Sequence, residues 1–164
     1  MTKSELLEEI AQLRDTQPII QGETFQQGVA HDLEMYIKVQ AGMTSAEGYA
    51  RILYGLTDLT LRDYLMGLVI QAKDQPLTYS QISELVNVAP AKYVKAPRTI
   101  LALLNYLNGN TTTAAELLRK CVNYQLATLL ERTMVAKLEP DAFSVMADQL
   151  QPKVKASIFG GDNE

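Results

Sequence analysis

The sequence predicts an all-α protein, a single domain of stacked antiparallel helical hairpins with eight or nine helices. Apolar residues recur three and four positions apart along most of the chain, which is the spacing of one helix face. Proline, glycine and helix-capping residues separate these stretches, and no alternating pattern typical of a strand remains. The 164 residues, 47% of them hydrophobic and 21% charged, suit one globular domain that needs no disulfide or metal.

The amino-terminal part contains two predicted helices. Thr2 and Glu5 form a capping box ahead of a short apolar stripe, and a linker from Gln17 to Gly22 follows that first helix. The second helix begins near Phe25 and runs to Gly42, which suits a left-handed carboxy-terminal cap.

Three further helices begin with a predicted capping box. The pairs are Thr44 with Glu47, Thr60 with Asp63, and Thr78 with Gln81. The apolar positions from Leu61 to Val69 fit one helical face throughout, which excludes a strand there. Pro90 interrupts the fifth helix.

The remaining helices are predicted from proline, glycine and threonine positions. Pro97 lies in the first turn of the sixth helix, and Gly109 closes that helix. Thr113 with Glu116 begins the seventh helix, and a break near Asn123 precedes the eighth. Pro140 begins a short last helix. We therefore expect an amino-terminal helix and linker in residues 1–22, a helical domain in residues 23–150, and a tail in residues 151–164.

One predicted hairpin, Leu101 to Val122, resembles a tetratricopeptide unit. Leu104 occupies a first-helix position and Gly109 the turn, while Ala114 and Cys121 occupy the sites of small residues. No second copy follows at the period of about 34 residues that such an array requires. The resemblance implies one packed helical hairpin.

Several short motifs between about Thr44 and about Phe143 occur in the order of a known family. They are Leu61-Arg62-Asp63, Ala96-Pro97 leading into Ile100 to Leu104, Asn108-Gly109-Asn110, and Leu126 to Leu130. This region resembles the carboxy-terminal helical part of a large actinobacterial family of unknown function. The resemblance implies a bacterial helical domain without an assigned reaction.

The residues predict no catalytic centre, metal or cofactor. His31 is the single histidine, which excludes a zinc site with two histidines, and we expect it on a polar helix face. Cys121 follows basic residues that could activate a thiol, yet it shares an apolar stripe with Leu117 and Leu118. We therefore expect a buried and inert cysteine.

Composition and charge limit where the chain acts. No apolar run approaches the roughly 20 residues that cross a bilayer, and the acidic amphipathic start does not resemble a secretory signal. A single cysteine suits a reducing compartment, so we expect a cytoplasmic protein without membrane association. The net charge of −4 argues against nucleic acid as the first partner to consider.

The main functional hypothesis is a non-enzymatic module that binds a protein or peptide. Stacked helices leave grooves that accept another helix, and tyrosine is enriched at interaction hot spots. The candidate contact residues are Tyr93, Tyr106 and Tyr124, each near a predicted turn or off the main apolar stripes. Arg62 is a fourth candidate, because its neighbour Asp63 is assigned to capping near Thr60 and leaves the arginine free. For Arg62, pairing with an acid of another helix is the alternative.

The second hypothesis is DNA binding through residues 78–100. The segment from Thr78 to Val88 resembles the first helix and turn of a helix-turn-helix. Lys92, Lys95 and Arg98 follow where a recognition helix would begin. Pro90 and Pro97 bracket that helix and leave it little length, which disfavours this hypothesis.

Overall fold

The computed structural model describes residues 1–16, 23–38 and 45–160. These residues form nine α-helices and no β-strand, which confirms the all-α class. The helices are α1 (Lys3–Thr16), α2 (Phe25–Lys38), α3 (Ala46–Gly55), α4 (Leu59–Gln71), α5 (Pro76–Val88), α6 (Lys95–Leu107), α7 (Thr111–Arg119), α8 (Gln125–Val135) and α9 (Pro140–Phe159). A 3₁₀ turn, Ala91–Tyr93, joins α5 to α6. The predicted linker Gln17 to Gly22, the Gly42 cap and Thr44 lie outside the described residues.

The predicted cap Thr2 at the amino terminus is confirmed, but the predicted start of α4 is wrong. The Glu5 backbone N–H donates to Thr2 Oγ1 at 3.1 Å. The cap of α4 is Asp58, whose carboxylate accepts from the Thr60 N–H at 2.8 Å, so Thr60 and Asp63 both lie inside the helix. Aspartate caps a helix as well as threonine does, so the helix begins directly after Asp58 and includes Thr60.

Two other helices begin earlier than their predicted caps. Helix α5 begins at Pro76, so Thr78 is a buried residue of its first turn. Proline favours this position because its missing N–H needs no partner there. Helix α7 begins at Thr111, after the tight turn at Gly109, which has a φ of +84°. The boxes predicted at Thr78 and Thr113 are therefore wrong as helix starts.

The last helix is longer than the sequence predicts. Helix α9 continues through Pro152 to Phe159 and ends at Gly160 in the left-handed conformation, so residues 151–159 form helix rather than tail. An internal proline costs a helix about 3 kcal/mol. Packing beyond Pro152 offsets this cost, since Ile158 is buried and the Phe159 ring lies 5.0 Å from the His31 ring.

Helix α6 lies at the centre of the fold. Ten of its thirteen residues are buried. Ile100 and Leu104 pack into a large core shared with the first five helices, whereas Leu103 and Leu107 pack into a second core with α7, α8 and α9. A helix that is apolar on all sides is expected in such a buried position. None of the described helices is both long and apolar enough to cross a membrane.

Candidate functional site

A groove of about 490 Å³ lies beside the second core. Helices α4 and α6 form its floor, and α8 and α9 form its walls. The floor residues include Met66, Ile70, Thr99 and Leu103, and the wall residues include Leu126, Leu129, Leu130, Phe143, Met146, Ala147 and Leu150. The surface inside the groove is therefore mainly aliphatic.

The groove exists because α8 and α9 pack on different neighbours. Helix α9 packs along α4, whereas α8 packs on α6 and α7. Side chains of both helices therefore face a space that neither helix fills.

Tyr106 fixes the apolar end of the groove, where the chain passes from α8 to α9. Its hydroxyl donates to the Leu138 carbonyl at 2.6 Å, and its ring meets the Phe143 ring edge-on at 6.0 Å. Leu138 and Phe143 both line the groove. The Tyr106 hydroxyl therefore holds the connection between α8 and α9, and a partner contact by this residue stays a prediction.

A close approach at Gly67 positions α9 against α4. Gln151 crosses over this glycine, and its Nε2 donates to the Tyr64 carbonyl at 3.2 Å. A Cβ at position 67 would overlap Gln151 Oε1 and would lie 2.6 Å from Gln151 Cδ. The glycine thus allows the Gln151 side chain to lie across α4 and reach the Tyr64 carbonyl, beside one wall of the groove.

A charged cluster ties α9 to α2 and α4 near its carboxy-terminal end. Tyr64 donates its hydroxyl to Glu34, and Lys155 and Lys38 lie 3.5 and 4.0 Å from the Glu34 carboxylate. Burial acts to raise the pKa of Glu34, but the Tyr64 hydrogen bond and the two ammonium groups outweigh it, so this pKa lies below its ordinary value. Burial and the nearby Glu34 carboxylate raise the pKa of Tyr64, which therefore stays protonated.

Large apolar side chains along the walls of the groove are exposed to solvent. Leu129 of α8 is 57% exposed, and Met146 and Leu150 of α9 are 45% and 50% exposed. All three line the groove. Single exposed apolar residues are common, but three on facing helices around one concave apolar surface indicate a contact site.

The other end of the groove is polar. It carries Arg62 and Asp63 of α4 and Lys153 of α9. Arg62 is mostly buried, and its guanidinium binds the carboxylate of Asp63 through Nε and Nη2 at 3.3 and 3.2 Å. Arg62 therefore pairs with an acid of its own helix rather than with one of another helix, because its long side chain folds back along α4.

Beyond Arg62 lies a smaller cleft of about 250 Å³, which contains several of the predicted site residues. Its lining includes Tyr93, Tyr124, Lys92 and Lys95. The Arg62 guanidinium lies 5.9 Å from the centre of the Tyr124 ring, within the range of a cation–π contact, and so connects the cleft to the groove. The structure thus brings Arg62, Tyr93 and Tyr124 to one surface, with Tyr106 at the opposite end of the groove.

The cationic side chains around this cleft have partners of different kinds. Lys92 Nζ lies 5.7 Å from the centre of the Tyr93 ring. Lys95 Nζ donates to the Val122 carbonyl at 2.5 Å, and Arg98 donates to the Lys120 carbonyl at 3.5 Å. Lys95 and Arg98 therefore interact with carbonyls just beyond α7, a favourable position for cations.

His31 and Cys121 lie away from the groove mouth. His31 Nε2 is 2.9 Å from the Glu23 carboxylate, and the side chain is half exposed, as expected of a polar-face histidine. Cys121 is buried in the second core, with Sγ 3.5 Å from the Leu117 carbonyl, which confirms the predicted burial. Within residues 1–16, 23–38 and 45–160, no group of three or more histidine, cysteine or acidic side chains could hold a metal ion.

The rim residues Leu129, Met146 and Leu150 were not among the predicted contacts. The sequence gives no signal of their exposure, since Leu129 and Met146 lie three positions after Leu126 and Phe143 and so fit the apolar stripes of their helices. The groove becomes visible only once α9 is known to pack on α4.

Comparison with known proteins gives no further guide. No protein family, no curated protein and no solved structure matches this chain. The resemblance to an actinobacterial helical family stays a prediction.

Proposed function

We propose that this protein is a non-enzymatic interaction module that accepts an amphipathic helix of a partner protein in the groove between α8 and α9. The observation that carries the proposal is the geometry of the groove, two separated helical walls over a helical floor. An amphipathic helix binds such a surface with apolar side chains at positions i, i+3 or i+4, and i+7.

The exposure of the rim supports a protein partner. Leu129 on one wall and Met146 and Leu150 on the other would become buried when a helix lies between them. Removing apolar surface from water contributes about 25 cal/mol per Å². The one carboxylate that lines the groove, that of Asp63, is already bound by Arg62, so it does not oppose an apolar occupant.

The same features favour binding over catalysis. The titratable groups that line the groove are Arg62, Asp63 and Lys153, and the first two neutralise each other. We place the protein in the cytoplasm, since its single cysteine is a buried free thiol that suits a reducing compartment.

The DNA-binding alternative gains no support from the position of α6. A recognition helix presents one face to a groove of the duplex. In α6 the residues from Thr99 to Asn105 are all buried, and Lys95 and Arg98 contact backbone carbonyls of this chain. We expect no binding to duplex DNA tighter than the non-specific range of about 10⁻⁴ to 10⁻⁶ M at physiological salt.

Selection from a displayed library of random peptides tests the proposal. Peptides retained by the wild-type protein should share apolar residues at helical spacing. They should not be retained by a Leu150→Lys variant, because a lysine on the α9 wall opposes burial of an apolar face.

Leu77→Lys is the matched control. Leu77 is 54% exposed on α5, close to the 50% of Leu150, and does not line the groove. This variant should retain the same peptides as wild type. Retention that is equal for the Leu150→Lys protein, or retained peptides without helical apolar spacing, would contradict the proposal.

A further inference from the structure

The basic residues of this chain are unevenly distributed. Residues 85–124 contain five lysines and arginines and one acidic residue, Glu116, although the whole chain has a net charge of −4. The five are Lys92, Lys95, Arg98, Arg119 and Lys120. The remainder of the chain is therefore strongly acidic, and this segment is a basic region within it.

The fold brings part of this charge, Lys92 and Lys95, close to one end of the groove. Lys95 and Arg98, at the start of α6, reach carbonyls at the end of α7, next to Arg119 and Lys120. Lys92 and Lys95 line the cleft that adjoins the groove at Arg62.

The lysines at this end have no carboxylate partner. Lys153 enters from the α9 wall, and neither it nor Lys92 nor Lys95 forms an ion pair with any described residue. The one acidic residue lining either cavity, Asp63, is bound by Arg62. An occupant of the groove therefore meets lysines without a carboxylate partner at this end, whereas no charged side chain lines the groove near Leu138 and Phe143.

A buried hydroxyl in the groove also lacks a partner. Thr99 lines the groove floor and is 1% exposed, and its Oγ1 makes no hydrogen bond to any residue that the structure describes. A buried hydroxyl without a partner costs about 1 to 3 kcal/mol. Because this oxygen is itself inaccessible, an occupant of the groove cannot reach it, and the cost is a property of the fold alone.

We infer that the partner helix carries acidic side chains at the end that leaves the groove beside Arg62, where Lys92, Lys95 and Lys153 receive them. This inference rests on the proposed function, since it specifies the charge of the helix that the groove accepts. Opposite charges at a rim fix the orientation of the bound helix and speed its association more than they raise its affinity.

The peptide selection, repeated with a charge-reversed protein, tests the inference. Peptides retained by wild type should have glutamate or aspartate at one end of their apolar repeat. Lys92→Glu should still retain peptides with helical apolar spacing but lose the enrichment in acidic ends. Lys3→Glu, which makes the same charge change at an exposed site on α1, should behave as wild type.

The size of the effect on binding affinity is measured with one synthetic peptide, labelled with fluorescein, from those that the wild-type protein retains. Lys92→Glu should weaken its binding by roughly three- to tenfold at low salt, and added salt should reduce the difference. The same peptide with its acidic residues changed to glutamine should bind wild type and Lys92→Glu equally.

The outcomes separate the inference from the proposed function. Retained peptides with helical apolar spacing but neutral or basic ends would overturn the inference alone. Absence of helical spacing would overturn the proposed function. Salt-sensitive binding of a labelled random-sequence DNA duplex tighter than the non-specific range, lost in Lys92→Glu but not in Lys3→Glu, would overturn both in favour of nucleic acid.

Discussion

Gly67→Ala tests how closely α9 packs against α4. Alanine inside a helix is favoured over glycine by about 0.5 to 1 kcal/mol. Against this gain, the new Cβ would lie 2.6 Å from Gln151 Cδ and would force Gln151 away from the Tyr64 carbonyl. Because the overlap is with the end of a flexible side chain, Gln151 can swing aside, and the cost is mainly that of the lost hydrogen bond, about 0.5 to 1.5 kcal/mol. The gain and the cost are of similar size, so we expect the free energy of unfolding to change by less than about 1 kcal/mol, or roughly 4 °C in Tm.

A double-mutant cycle combines Gly67→Ala with Gln151→Ala, which removes the obstructing side chain. In that background Gly67→Ala should stabilise the protein by about 0.5 to 1 kcal/mol, because only the helix propensity remains. Urea unfolding followed by circular dichroism measures all four proteins. If Gly67→Ala stabilises the wild-type protein as much as the Gln151→Ala protein, the described seating of α9 on α4 is wrong.

Three further predictions concern stability. Leu65→Ala and Leu118→Ala should each cost about 2 to 5 kcal/mol because both side chains are buried, whereas Leu77→Ala should cost less than about 0.5 kcal/mol. Equal denaturation midpoints for the three variants would contradict the assigned cores. Thr99→Val should raise stability by about 1 to 3 kcal/mol by removing an unpartnered buried hydroxyl, and a loss of similar size would show that the hydroxyl has a partner. Glu34→Gln should be less stable than wild type above about pH 4.5, the ordinary pKa of this group. Because folding lowers the pKa of Glu34, that difference should disappear as the pH falls through the lowered value. A difference that is independent of pH would refute the assigned charge cluster.

The class of fold could be predicted because helical periodicity is a local property. The apolar stripe from Leu61 to Val69 reads as one helix face whatever it packs against. Helix starts were less predictable, since threonine followed by an acid or glutamine three residues later also occurs inside helices. Asp58 and Pro76 supply competing start signals a few residues before the predicted ones.

The extent of α9 could not be read from local signals. Pro152 predicts an interruption, and the helix continues because contacts distant in sequence hold its second half. Lys155 pairs with Glu34, and Gln27 donates to the Ile158 carbonyl. Such contacts have no local signature.

The candidate site was predictable only in part. Tyr93 and Tyr124 are predicted from positions near turns or off the apolar stripes, and Arg62 as the free neighbour of Asp63. The structure places all three around connected cavities. Tyr106, chosen by the same reasoning, uses its hydroxyl to hold the α8–α9 connection. The groove itself exists because α9 packs on α4 whereas α8 packs on α6 and α7, which is a property of the tertiary structure.

Methyl NMR of the protein with a selected peptide tests the central claim most directly. The peptide should shift the methyl signals of Leu129, Met146 and Leu150, which face each other across the groove, and should leave the exposed Leu77 on α5 unchanged. Shifts confined to residues outside the groove, with Leu129, Met146 and Leu150 unaffected at saturating peptide, would contradict the account.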